Sequence, residues 1–182
     1  MHHQSVNMQT QQKNILTFMK VLFWIIFIGL CIKTGAIIIS VFVSLFVNDI
    51  ASRDLYEGLD LSAVKAFSDL QYYQMVTLLI TVNALKAYMA FLVVKIFQRF
   101  NLASPFNEMA SKHLSLISFT ALATAVISFI ANTQARWLMK RGVTIDLNWG
   151  YQELLFFAGV MYIIAHVFQK GTELQSENEL TV

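Results

Sequence analysis

Lys33 and Lys86 stand near the centres of two long apolar runs. An ammonium group at the centre of a membrane helix costs about 2.5–3.5 kcal/mol on insertion scales. Two such groups call for relief: a facing anion, a polar neighbour or water. Asn83 precedes Lys86 by three residues and shares its helical face. Glu153, at the head of the last apolar run, is the acid on offer, set about two helical turns further towards the outside. Lys33, Asn83, Lys86 and Glu153 therefore form a candidate buried polar site. Its chemistry is binding: an anion, a lipid headgroup or a peptide. The competing reading is structural, with spans that shift in depth, lysines that snorkel and Glu153 paired with one of them.

Residue patterns for bond-making chemistry are missing. The chain has no metal-ligand spacing of His or carboxylates, no Cys pair, no nucleophile elbow and no glycine-rich phosphate loop. The expectation is a protein that is not an enzyme and uses no cofactor or metal. Met1-His2-His3 has the form of a terminal copper or nickel site, but such tails are usually disordered. His113 and His166 fall at membrane boundaries, where an interfacial hydrogen bond explains a histidine. Cys31 is the single cysteine and cannot close an intrachain disulfide, so it gives no redox compartment.

The elements that must hold these residues are membrane helices. Hydrophobic residues make up 57% of the 182-residue chain and charged ones 13%. A soluble domain carries about 25% charged residues, so this chain has too few to cover a surface in water. Hydrocarbon solvates it instead. The fold class is an all-α integral membrane protein, a four-transmembrane-helix bundle forming a single domain over 1–182. The spans fall at about 19–47, 72–97, 110–135 and 149–169. The polar start and the length of the first apolar run predict an uncleaved anchor rather than a signal peptide.

Between the first two spans lies an acidic connection in which Leu61, Val64, Phe67 and Leu70 recur about every third residue. This predicts a short amphipathic helix in the first extracytoplasmic loop, capped by Asp60 and lying either on the membrane surface or on the bundle. Ser104-Pro105, with Glu108 behind it, predicts the start of the third helix. Ser118, Ala121, Thr124, Ala125 and Ser128 give the third span a stripe of small residues, so it should be packed among the others and can also support a homo-oligomer. Trp149 opens the fourth span.

With the N-terminus inside, six Lys or Arg lie on the cytoplasmic side and five outside. Charges at the first three cytoplasmic helix ends favour this orientation, with both termini in the cytoplasm; Arg136, Lys140 and Arg141 oppose it. The net charge of +2 gives no reason to expect direct binding of nucleic acid.

The chain ends Val167-Phe168-Gln169-Lys170-Gly171-Thr172-Glu173-Leu174-Gln175-Ser176-Glu177-Asn178-Glu179-Leu180-Thr181-Val182. This ending, with the Pro105-Phe106 entry to the third helix, resembles a bacterial family of four-span membrane proteins catalogued as domain of unknown function 2975. The resemblance covers nearly the whole chain. It implies the bacterial inner membrane but no biochemical activity. Members are often encoded beside a small helix-turn-helix transcription regulator, so the resemblance implies a membrane-bound regulatory role. In the tail at 170–182, Glu173, Leu174, Glu177, Asn178, Leu180 and Thr181 match the family pattern and are candidates for docking a small DNA-binding regulator. The alternatives are a tail that merely packs on the loop around Pro105 and, for the whole protein, a small oligomeric transporter or channel subunit lined by the polar site.

Overall fold

A computed structural model describes residues 2–99 and 106–179, with side chains for 14–98 and 106–177. Four long helices dominate it: α1 (His2–Phe46), α3 (Asp69–Arg99), α4 (Glu108–Met139) and α5 (Tyr151–Glu179). A 3-10 turn (Asp49–Arg53) and a short helix α2 (Ser62–Phe67) lie between α1 and α3. The segments Asn14–Phe46, Asp69–Gln98, Glu108–Met139 and Tyr151–Glu177 are each long and apolar enough to cross a membrane. In hydrocarbon a backbone finds no water to bond, so each span closes its own hydrogen bonds as a helix. The protein is a multi-pass membrane protein. The start of α1 and the end of α5 share one face with the end of α3 and the start of α4, and the other two connections form the opposite, loop face.

The bundle is an open row. α1 packs on α3, α3 on α4 and α4 on α5. Among the described residues α1 and α5 stand at the two ends of this row, each packed chiefly on one long neighbour. Both turn large apolar side chains outward, such as Phe18, Ile25 and Ile39 on α1 and Phe156 and Ile163 on α5. Lipid tails solvate such a surface. The small-residue stripe of α4 is buried, as its position between α3 and α5 requires: Ser118, Ala121, Thr124, Ala125 and Ser128 all face neighbours. Ser118 Oγ donates to the Ala158 carbonyl of α5 at 3.1 Å, a contact that only small side chains permit. Towards the termini, α1 and α3 meet through rings, with Phe23–Phe97 at 5.5 Å and Phe27–Phe91 at 5.4 Å.

The main core lies on the loop side. Ile37 and Val41 of α1, Tyr72 to Val82 of α3, and Ala131 to Leu138 of α4 enclose it. Both loops fold into it, through Leu55, Leu61 and Val64 from one and Val143, Ile145 and Trp149 from the other. This settles the placement of α2. Leu61 and Val64 are fully buried, so the helix packs on the bundle rather than lying on the membrane surface. Asp60 sits one position before the Leu61 cap, and its carboxylate accepts from the Ser62 N–H at 2.8 Å.

Helix ends differ in detail from the sequence reading. α4 is capped by Asn107, whose side-chain oxygen accepts from the Ala110 N–H at 2.8 Å. Ser104 and Pro105 lie outside the described residues. Gly142, at φ 85°, closes the other end of α4 and lets the Val143 N–H return to the Leu138 carbonyl. α5 begins low, with Tyr151 at 5.5 Å from Phe129. The stretch from Phe129 to Met139, about 15 Å of helix, therefore stands beyond the start of α5. At its other end α5 continues without a break as far as Glu179, so the segment read as a tail is helical there.

Candidate functional site

The described loops and helices bring three of the four candidate residues together. Lys33 of α1 and Asn83 and Lys86 of α3 line one cavity of about 360 Å³. Ile37, Leu79 and Val82 of the same helices line it too, and the two loops add Tyr56, Glu57 and Gly58 from the first and Asp146, Asn148 and Trp149 from the second. Chain geometry explains why loops reach so far down. Glu57 and Gly58 both take left-handed backbone conformations, at φ 49° and 82°. The resulting tight turn, tied by the Gly58 N–H to Asp54 Oδ1 at 2.9 Å, sets Tyr56 with its ring 5.7 Å from Lys33 Nζ. The second loop is drawn in because α5 starts low.

Glu57, Gly58, Asp146 and Asn148 are exposed loop residues. Lys33 and Lys86 are mid-span by residue count, yet the cavity opens them to the loop face. Both are half-buried. Asn83 is buried at 6% exposure, and its amide N–H donates to the Leu79 carbonyl at 2.8 Å. Glu153 does not line the cavity. It is exposed on the first turn of α5, with a carboxylate oxygen 3.6 Å from where a Gly150 Cβ would stand. It acts on Lys86 only as a Coulombic neighbour, as Lys33 does with the opposite effect. Among the described residues neither lysine makes an ion pair.

Trp149 is the residue that sequence reasoning missed. It was legible as an interfacial aromatic opening the fourth span, not as a wall of the polar site. It is 3% exposed, and its indole N–H is buried without an acceptor. The cavity therefore presents two ammonium groups, with Glu57 and Asp146 as its exposed lining acids. Among the described residues no group of three metal-ligating side chains forms.

A second site on the loop face is structural. Lys65 of α2 reaches the Ser44 carbonyl near the end of α1 and pairs with Asp49 at 2.5 Å, with its ammonium 5.5 Å from the Tyr72 ring centre. A cation there offsets the partial negative charge of the helix C-terminus.

On the terminal face, Phe168 and Phe106 meet at 5.2 Å, and Gly171 lies directly against the Phe106 ring. Beyond that contact α5 carries four of the tail candidates, Glu173, Leu174, Glu177 and Asn178, of which Glu173 pairs with Lys170 at 2.7 Å. Leu174 is 61% exposed and Glu177 is exposed. Asn178 belongs to the last turn of α5, and its side chain, like Leu180 and Thr181, lies outside the described residues.

A family model described as a protein of unknown function, DUF2975, matches residues 14–182. No curated protein and no solved structure matches the chain.

Proposed function

The chain belongs to the DUF2975 family, whose function is unknown, and from that premise we propose a non-enzymatic regulatory protein of the bacterial inner membrane that holds a small helix-turn-helix regulator on its α5 extension. Both termini then face the cytoplasm. The observation that supports this is the unbroken course of α5 to Glu179. The extension presents Glu173, Leu174 and Glu177 on a helix anchored by Phe168 and Gly171 against Phe106. An anchored helix loses less entropy on docking than a free tail. Its acidic and apolar character suits a basic partner. Beside it runs a groove of about 720 Å³ between the start of α4 and α5, lined in part by Ser111, Lys112, Phe119, Thr172 and Glu173.

The test is affinity capture from solubilised membranes of the native host. Full-length protein should recover a small DNA-binding protein, and protein truncated after Gln169 should lose it. Identical partners for both would sink the reading. The double variant Leu174→Ser with Glu177→Gln separates surface recognition from loss of the segment.

The cavity favours a second reading, a small oligomeric transporter or channel subunit. Four spans are few for a monomeric transporter, so this needs copies to associate. Flux through reconstituted protein that survives Lys33→Leu with Lys86→Leu would remove those lysines from any path.

A further inference from the structure

We propose that the cavity between α1, α3 and the two loops is a binding site for a phosphate-type oxyanion presented from the loop face. The proposal is independent of the docking reading and concerns the opposite end of the molecule.

Charge carries the argument. Lys33 and Lys86 are close enough to act on each other electrostatically, and like charges in partly buried surroundings repel. Each also costs free energy within a membrane helix. Other protein groups compensate this only at a distance: Glu57 and Asp146 line the cavity as exposed loop residues, Glu153 acts on Lys86 from outside it, and none of the three forms an ion pair with either ammonium. Tyr56 gives Lys33 only its ring face, with the ammonium 5.7 Å from the ring centroid. A bound anion supplies what is missing.

Donor count narrows the class. Lys33 and Lys86 present ammonium donors from two helices that line one cavity. An ammonium only donates. The ligand must therefore accept on several sides at once. A phosphate, with several terminal oxygens and up to two negative charges, can face both lysines together, and lysine serves phosphate as a point charge. At about 360 Å³ the cavity is within the range of small-ligand pockets and holds a phosphate with its ester substituent. Two sources share this chemistry: an anionic phospholipid headgroup from the loop-side leaflet, or a soluble phosphate.

Trp149 supplies the readout. Full-length protein carrying Trp24→Phe and Trp137→Phe, in nanodiscs of neutral phosphatidylcholine, leaves Trp149 as the sole indole. Inorganic phosphate is titrated in one arm, and phosphatidylglycerol replaces phosphatidylcholine in the other. A saturable change in Trp149 emission is expected in at least one arm. A response to phosphate identifies a soluble ligand, and a response to phosphatidylglycerol alone identifies a lipid headgroup. Lys33→Met and Lys86→Met should each weaken the response about tenfold or more. Lys33→Arg with Lys86→Arg keeps the charge and should retain it, which decides the matter if the Met variants fold poorly. A flat emission in both arms, or a response indifferent to the lysine substitutions, would overturn the proposal.

Discussion

The Tyr72 hydroxyl and Ser44 Oγ lie 2.6 Å apart, both buried, joining α3 to the end of α1. Ser44 also donates to the Val41 carbonyl at 2.9 Å. A hydroxyl has one proton to give, so Tyr72 is the donor of the pair. The two truncations should therefore differ. Tyr72→Phe leaves Ser44 with a partner and should cost about 1 kcal/mol or less. Ser44→Ala strands the buried Tyr72 hydroxyl and should cost more, about 1–3 kcal/mol. Reversible unfolding in mixed micelles measures both, and equal losses would refute the donor assignment.

Lys65 closes the same corner from above. Its side chain is 13% exposed, whereas that of Asp49 is 88% exposed. The contact with the Ser44 carbonyl should therefore matter more than the ion pair, which water screens. Lys65→Met is expected to destabilise by about 2 kcal/mol. Asp49→Asn should cost under about 1 kcal/mol. The same unfolding assay orders them, and a larger loss from Asp49→Asn would reverse the account.

Acid should also act on this loop. Asp60 accepts from the Ser62 hydroxyl and backbone N–H, which hold its carboxyl below the ordinary carboxylate value, with Arg53 adding a weaker pull. A lowered carboxyl stabilises the fold above the unfolded-state pKa, and that contribution fades as pH falls through the folded value. The window therefore lies at and below about pH 4. Asp60→Asn should flatten the acid limb of the stability curve there while leaving its dependence near neutrality unchanged. An unaltered acid limb would count against the hydrogen bonds as the cause.

Much of this architecture was legible in the sequence. Apolar runs long enough to span hydrocarbon specify helices almost by themselves, because a lipid-exposed backbone has no other partner. The stripe from Ser118 to Ser128 marked α4 as the packed helix, and Lys33, Asn83 and Lys86 converge on one cavity. What stayed hidden depends on pairings far apart in the chain. Tyr72 meets Ser44 across 28 residues, and nothing in the local pattern of either signals the other. Trp149 has the type and position of an interfacial aromatic, and only the low start of α5 folds it into the polar wall. Asn107 carries the cap because its side chain reaches the Ala110 N–H, and the more familiar Ser-Pro signal drew attention upstream.

The α5 extension offers the sharpest test of packing. A Cβ built on Gly171 would come within 2.5 Å of the Phe106 ring, closer than any side chain tolerates. Glycine there admits the ring against the helix, and Phe168 holds it from one turn away. Two effects of opposite sign meet in Gly171→Ala. Crowding the ring should cost about 1–3 kcal/mol, while exchanging glycine for alanine within a helix should return about 1 kcal/mol. The net expectation is a modest loss, with Phe106 displaced from α5. In a Phe106→Ala background the crowding disappears and only the helical gain remains, so the same substitution should become stabilising. Unfolding of the two backgrounds reads the change of sign. If Gly171→Ala has the same effect in both, the ring does not lock the extension, and the α5 surface offered to a partner loses its anchor.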